Sequence, residues 1–202
     1  MKIFELFTMP VLTMNSRDFS RACGELASKA CELNTPDLVI GILRGGDLVA
    51  LQMVENGYFN NIPYATIGYQ RPGTAIKKNP LISYALKLLP RMVLNILRRL
   101  ESNIREYRYY KRGCKYYNGK KPVCDTETRS QILSASSILV VDDAIDSGIT
   151  LSKAIGLIKE INPHAQCFIA VLTETFEMPL LKADVSLFKR VLIRFPWSED
   201  FK

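Results

Sequence analysis

Histidine is nearly missing from this 202-residue chain, with His164 its single example, and the five cysteines stand far apart. None of Cys23, Cys31, Cys114, Cys124 and Cys167 forms a C-x-x-C pair, so the ligand spacing of a structural zinc site is lacking. An odd, scattered set of thiols also fits no disulfide framework and reads as reduced cysteines of a cytoplasmic protein. No apolar run reaches the roughly 18 residues that a membrane-spanning helix needs. The opening "MKIFELFTMPVLTM" lacks the charged, apolar and small-residue regions of a secretory signal. Internal repeats and low-complexity linkers are missing too. What remains is 48% hydrophobic and 23% charged, enough for a single domain over 1–202 to bury a full core.

Charge is present but uneven. Residues 71–129 carry 15 Lys/Arg against 4 Asp/Glu, a local balance of +11 within a net +7, which leaves −4 elsewhere. The basic character thus belongs to one segment.

Hydrophobic periodicity gives the order of elements. From cap-forming Asn15 or Ser16, Phe19, Ala22, Cys23, Leu26, Ala27, Ala30 and Leu33 recur at helical spacing. "DLVIGIL" (37–43) is short and almost wholly apolar, as in a parallel strand covered on both faces, and runs into "RGG". "DLVALQMVENG" predicts a helix ending near Gly57. Further strands are expected at 64–69, 137–142, 167–173 and 190–195, with a helix, "TLSKAIGLIKEI", closed by Asn162-Pro163. Strands alternating with helices imply an α/β fold: an open, mainly parallel twisted sheet with helices on both faces. In the basic segment, Leu81, Tyr84, Ala85, Leu88, Met92, Ile96, Leu100 and Ile104 keep helical spacing, with Lys87, Arg91, Asn95, Arg98 and Arg99 opposite. Pro90 is expected to kink or divide that helix. "REYRYYKRGCKYYNGKK" then alternates five tyrosines with bases.

One stretch combines features that seldom meet by chance. "ILVVDDAIDSGIT" (138–150) runs an apolar strand into Asp142, Asp143 and Asp146, then into a Ser-Gly-Ile-Thr turn that opens a helix. Ligands of open α/β sheets bind beyond the carboxyl ends of strands. There, backbone N–H groups and a helix dipole make a phosphate cradle, to which Ser147 and Thr150 add hydroxyls. Carboxylates repel phosphate, but they suit sugar hydroxyls or a hard cation such as Mg²⁺. A turn for phosphate beside acids for a diol describes a ribose 5-phosphate site.

This stretch resembles the signature of the type I phosphoribosyltransferase family, whose substrate is 5-phosphoribosyl 1-pyrophosphate (PRPP). "GILRGGDLVA" is similar to that family's pyrophosphate loop, which commonly holds a cis peptide. "RVLIRFPWSED" is similar to the base-covering hood of the xanthine-guanine and hypoxanthine branch, and residues 174–202 are accordingly expected to form a hood. The resemblance implies transfer of ribose 5-phosphate from PRPP to a ring nitrogen of a nucleobase, with Mg²⁺ and release of pyrophosphate, as in purine nucleotide salvage. It implies that Asp142 and Asp143 hold the ribose hydroxyls, Asp143 being the contact to Mg²⁺, and that Asp146 meets the base. PRPP would lie along Ala144 and the Ser147, Gly148, Ile149 and Thr150 backbone, with Arg44, Gly45 and Gly46 at the pyrophosphate.

Three departures from the family pattern shape the remaining expectations. Glu174 aligns where purine enzymes of this branch place a lysine that donates to a 6-oxo group. Either Glu174 faces the base, disfavouring a 6-oxopurine and suiting an amino-bearing ring, or it is solvated. The hood position of a stacking aromatic is Leu192, followed by Ile193, while Trp197 is expected to pack the hood. The basic insert, 71–129, exceeds what a lid requires. Its apolar face is expected against the domain or a second subunit of a homo-oligomer, and nucleic acid or an anionic membrane surface are lesser options for its tyrosines and bases. The alternative function is a PRPP- or nucleotide-sensing regulator whose insert binds nucleic acid.

Overall fold

In the computed structural model, which describes residues 9–68, 89–113 and 121–201, five strands form one parallel sheet in the order β3-β2-β4-β5-β6. The elements are β1 (Val11–Thr13), α1 (Ser16–Leu33), β2 (Leu38–Ile42), α2 (Gly45–Glu55), β3 (Tyr64–Ile67) and α3 (Arg91–Arg112). They continue with α4 (Thr126–Ser134), β4 (Ser137–Ile145), α5 (Ile149–Ile161), β5 (Gln166–Glu174), β6 (Val185–Lys189) and β7 (Leu192–Arg194). β2 is buried at every position, as its unbroken apolar sequence requires of a strand covered on both sides. Its register sets Ile40 beside Val140 on β4 and beside Ala65 on β3, and β4 in turn sets Val141 beside Ala170 on β5.

Strand alternation divides the core into two layers. Leu139, Val141, Ala170 and Leu172 pack with Leu26 and Met53 of α1 and α2. Ile138, Val140, Ile169 and Val171 pack with Ile132 of α4 and Ile158 of α5. The helix starts follow capping chemistry. The Asn15 side chain accepts from the Asp18 N–H at 2.9 Å, and Asp125 accepts from the Thr128 N–H at 2.7 Å. Those Thr128 contacts hold the Asp125 carboxyl below the usual range.

Four features differ from the sequence reading. Residues 192–194 do not join the main sheet; β7 pairs in parallel with β1, a strand too short to show alternation. The edge strand β6 also escapes periodicity, because only Val185 among its five residues is buried. α4, which starts inside the expected insert and runs past its end at 129, is the crossover helix that packs under β4 beside β3, so it belongs to the βαβ framework.

The fourth difference concerns α3. It begins immediately after Pro90, whose missing N–H costs nothing at a helix start. The residues placed inward are mostly polar: Ser102, Asn103, Glu106 and Tyr109, with Leu94. Met92, Ile96, Leu100 and Ile104 are exposed, so the expected packing of that stripe against the domain does not occur. The rest of the expected stripe, 81–88, lies outside the described residues, as does Lys87. Among the described residues no helix is long and apolar enough to cross a membrane.

Candidate functional site

Two helix N-termini meet at the carboxyl end of β4. α2 starts after Arg44 and α5 starts after Gly148, and neither has a side-chain cap. Their first-turn amides, apart from the Ile149 N–H that reaches Ser147 Oγ, are therefore available to an anion, and each helix dipole adds partial positive charge. Gly148 takes φ +75°, the left-handed conformation, and a Cβ there would lie 2.7 Å from the Leu181 nitrogen. Ser147 is buried and its Oγ accepts from the Ile149 N–H at 3.4 Å, while Thr150 is half-buried in the first turn of α5.

The acids sit between these two starts. Asp142 is buried and its Oδ1 accepts from the Asp143 N–H at 2.9 Å; Asp143 and Ala144 are half-buried. The Arg-Gly-Gly loop is pressed against them. A Cβ on Gly45 would collide with the Asp143 carboxylate, and one on Gly46 would lie 2.6 Å from the Asp142 Cα. The peptide between Leu43 and Arg44 is cis, and the Arg44 side chain is exposed. Asp47, in the first turn of α2, accepts a hydrogen bond from the Tyr64 hydroxyl, and burial raises its pKa. The structure thus brings Arg44, Gly45 and Gly46 together with Asp142, Asp143 and the 147–150 turn.

Such a donor set fits Mg²⁺. This ion takes one or two carboxylates and leaves its other positions to water and phosphate oxygens. Asp143, with Asp142 behind it, offers that arrangement. Among the described residues no group of three or more His, Cys, Asp or Glu forms a metal cage.

Asp146 lies on the other flank of the turn, and both its oxygens are engaged. Thr175 Oγ1 donates to Oδ1 at 2.6 Å, and Arg105 Nη1 donates to Oδ2 at 2.9 Å. Sequence reasoning singled out neither partner. Thr175 carries no motif, and Arg105 stands 41 residues earlier in a helix whose docking periodicity cannot show. Glu174 is buried at the end of β5, where it accepts from Ser186 Oγ at 2.7 Å and faces Lys189 Nζ at 4.0 Å. It is therefore not the solvated residue of one sequence option.

Leu192 and Ile193 are buried in the small β1–β7 sheet. The Ile193 carbonyl accepts from Arg98 Nη1 at 2.7 Å, which ties α3 to β7. Trp197 stacks on Phe195 at 4.7 Å between ring centroids and meets the edge of Phe19 at 5.0 Å, so it packs the C-terminal segment against α1.

Residues 95–202 match the family model described as a phosphoribosyl transferase domain. A search of curated proteins finds no match. Among solved structures, the fold resembles a purine phosphoribosyltransferase from Pyrococcus horikoshii, with TM-score 0.56, 20% identity and coverage of 93% of this chain and 94% of that one. A Helicobacter pylori xanthine-guanine-hypoxanthine phosphoribosyltransferase has TM-score 0.56 and 15% identity, with coverage of 93% and 92%. A Neisseria gonorrhoeae protein with bound ppGpp has TM-score 0.54 and 19% identity, with coverage of 94% and 90%.

Proposed function

Since this chain belongs to the phosphoribosyl transferase domain family, we propose that it is an enzyme moving ribose 5-phosphate from PRPP to a ring nitrogen of a purine-like base. The observation that carries this reading is the pair of uncapped helix starts flanking Asp142 and Asp143. PRPP has an anion at each end of a diol, and the site has an anion cradle at each end of a carboxylate pair. The 147–150 turn would hold the 5-phosphate. Asp142 and Asp143 would take the ribose hydroxyls, and the Arg44–Gly46 loop would take the pyrophosphate.

In the reaction the C1–O bond to pyrophosphate breaks and a C1–N bond forms, with positive charge developing on the ribose. Catalysis then consists largely of positioning and charge stabilisation. Mg²⁺, when bound, neutralises the departing pyrophosphate, and Asp143 is the residue that would hold it. Asp146 would accept the ring N–H of the acceptor. Thr175 and Arg105 fix its orientation, and each of its oxygens retains a lone pair for the ligand.

A test is thermal denaturation with millimolar Mg²⁺-PRPP, followed by pyrophosphate release against a panel of bases and amines. A rise in Tm and acceptor-dependent release are expected. Asp146→Asn should lower turnover by at least about a hundredfold while sparing the PRPP shift. An unchanged Tm in the native protein would sink the transfer reading.

A second reading is a nucleotide-sensing regulator, favoured by the basic helix α3 resting directly on Asp146. Filter binding of RNA across a salt series separates the two, because a steep salt slope without turnover belongs to the regulator.

A further inference from the structure

The acceptor side holds a cation that the proposed transfer reading does not by itself require. Arg105 comes from α3 and reaches Asp146 from outside the phosphate framework. Its guanidinium has five N–H donors in a rigid fork. One bond goes to Asp146, and Nη2 lies 3.1 Å from Glu101 Oε1. The Nε–H is buried without a hydrogen-bond partner among the described residues. Nη1 and Nη2 each keep a second N–H, so spare donor capacity stands beside the carboxylate proposed to meet the acceptor. The side chains of Arg105 and Asp146 are 40% and 24% exposed, so a ligand can reach both. As a surface ion pair they contribute about 1 kcal/mol or less to stability, too little to explain the arrangement by folding alone.

Nor is Arg105 needed to hold α3 in place. Arg98 Nη1 donates to the Ile193 carbonyl at 2.7 Å, and Arg99 Nε donates to the Met9 carbonyl at 2.8 Å. Glu106 Oε1 accepts from the Glu177 N–H at 2.8 Å and from Arg190 Nη1 at 2.8 Å. The helix is thus a fixed wall, and Arg105 is the part of it that faces Asp146.

We propose that Arg105 is a specificity-determining residue. It donates to an oxygen on the acceptor ring, next to the nitrogen whose N–H faces Asp146. An oxo group satisfies the guanidinium there, whereas an amino group would leave two donors face to face. The amino-bearing acceptor that Glu174 suggested from the sequence is thereby disfavoured. The inference rests on the transfer reading for the location of the acceptor.

The test is calorimetric binding of two nucleotides that differ at one ring substituent, inosine 5′-monophosphate (oxo) and adenosine 5′-monophosphate (amino). Native protein, Arg105→Ala and Arg105→Lys are compared, with the Mg²⁺-PRPP thermal shift as control. The native protein should prefer the oxo nucleotide by about tenfold or more, and Arg105→Ala should erase the preference with the PRPP shift intact. Arg105→Lys, which keeps the charge but not the fork, should retain part of it and serves alone should the alanine variant not fold. The assignment is overturned by a preference that survives both substitutions, by none in the native protein, or by equal loss of both nucleotides and the PRPP shift. Native protein that responds to PRPP but binds neither nucleotide also overturns it, leaving transfer to another acceptor. Without a PRPP response the transfer reading fails, yet an Arg105-dependent oxo preference would stand as nucleotide recognition.

Discussion

Gly46 shows how far single residues are committed. A side chain there would enter the backbone of the strand end, 2.6 Å from the Asp142 Cα, and backbone cannot step aside as a flexible side chain can. Gly46→Ala is therefore expected to lower stability by about 1–3 kcal/mol, read by urea denaturation, through overpacking. It should also shrink the Mg²⁺-PRPP thermal shift, because the loop carrying the α2 amides moves off Asp142 and Asp143. An alanine variant with native stability and a full shift would show that the close approach is dispensable. The sequence makes this position legible as an anion loop, since "RGG" follows a buried strand. It cannot show that the glycines also serve contact with the acids, 98 residues on from Gly45 and 96 from Gly46. The same limit applies to Thr175 and Arg105. Asp146 is visible in a motif, but the groups that orient it come from separate elements and have no spacing to reveal them.

At the scale of elements, α3 separates what periodicity can and cannot tell. Helical spacing marks the described part of the stripe, Met92 to Ile104, as one face of a helix, and that helix starts directly after Pro90. Periodicity gives the angle between faces but not which face meets the protein. Here the polar face is inward, because the surface below it presents carbonyls and charges: the carbonyls of Ile193 and Met9, Asp146, Asp200 and Arg190. A measurable asymmetry follows. Leu100→Gln and Ile104→Gln, at exposed sites, should each change stability by no more than about 0.5 kcal/mol. Arg98→Ala removes a partner of both the Ile193 carbonyl and Asp200, and should cost about 2–3 kcal/mol. Denaturant midpoints at low protein concentration decide it; larger losses at Leu100 and Ile104 than at Arg98 would place the apolar stripe inside. The parallel sheet was far easier to read, because burial on both faces writes itself as continuous apolar runs. β1, at three residues, is too short to carry any period.

The whole molecule is tied together by one buried cation. Arg194, 2% exposed, donates from Nη1 to Thr13 Oγ1 at 2.9 Å, from Nη2 to Asn95 Oδ1 at 2.9 Å and from Nε to Asp200 Oδ2 at 2.8 Å. Asp200 also accepts from Arg98 Nη2 at 2.5 Å. β1, α3 and the C-terminal segment thus converge on a network whose members lie up to 181 residues apart. Burial alone would raise the Asp200 pKa, but the hydrogen bonds and charges of Arg98 and Arg194 outweigh it and hold the carboxyl below the usual range. A carboxyl depressed in the folded state binds fewer protons than in the unfolded chain. Its contribution is therefore complete above the unfolded pKa of about 4 and fades as pH falls through the lower folded value. Asp200→Asn should accordingly destabilise by about 2–3 kcal/mol at pH 7, since two guanidiniums lose their counter-charge in a poorly hydrated place. The gap between native protein and variant should narrow steadily below pH 4, as native Asp200 itself becomes protonated. Urea denaturation of both proteins at pH 7, 5 and 3 measures it. A gap that stays constant across that range would show that Asp200 acts through its shape and hydrogen bonds, and that charge does not bind the two ends of the chain to α3.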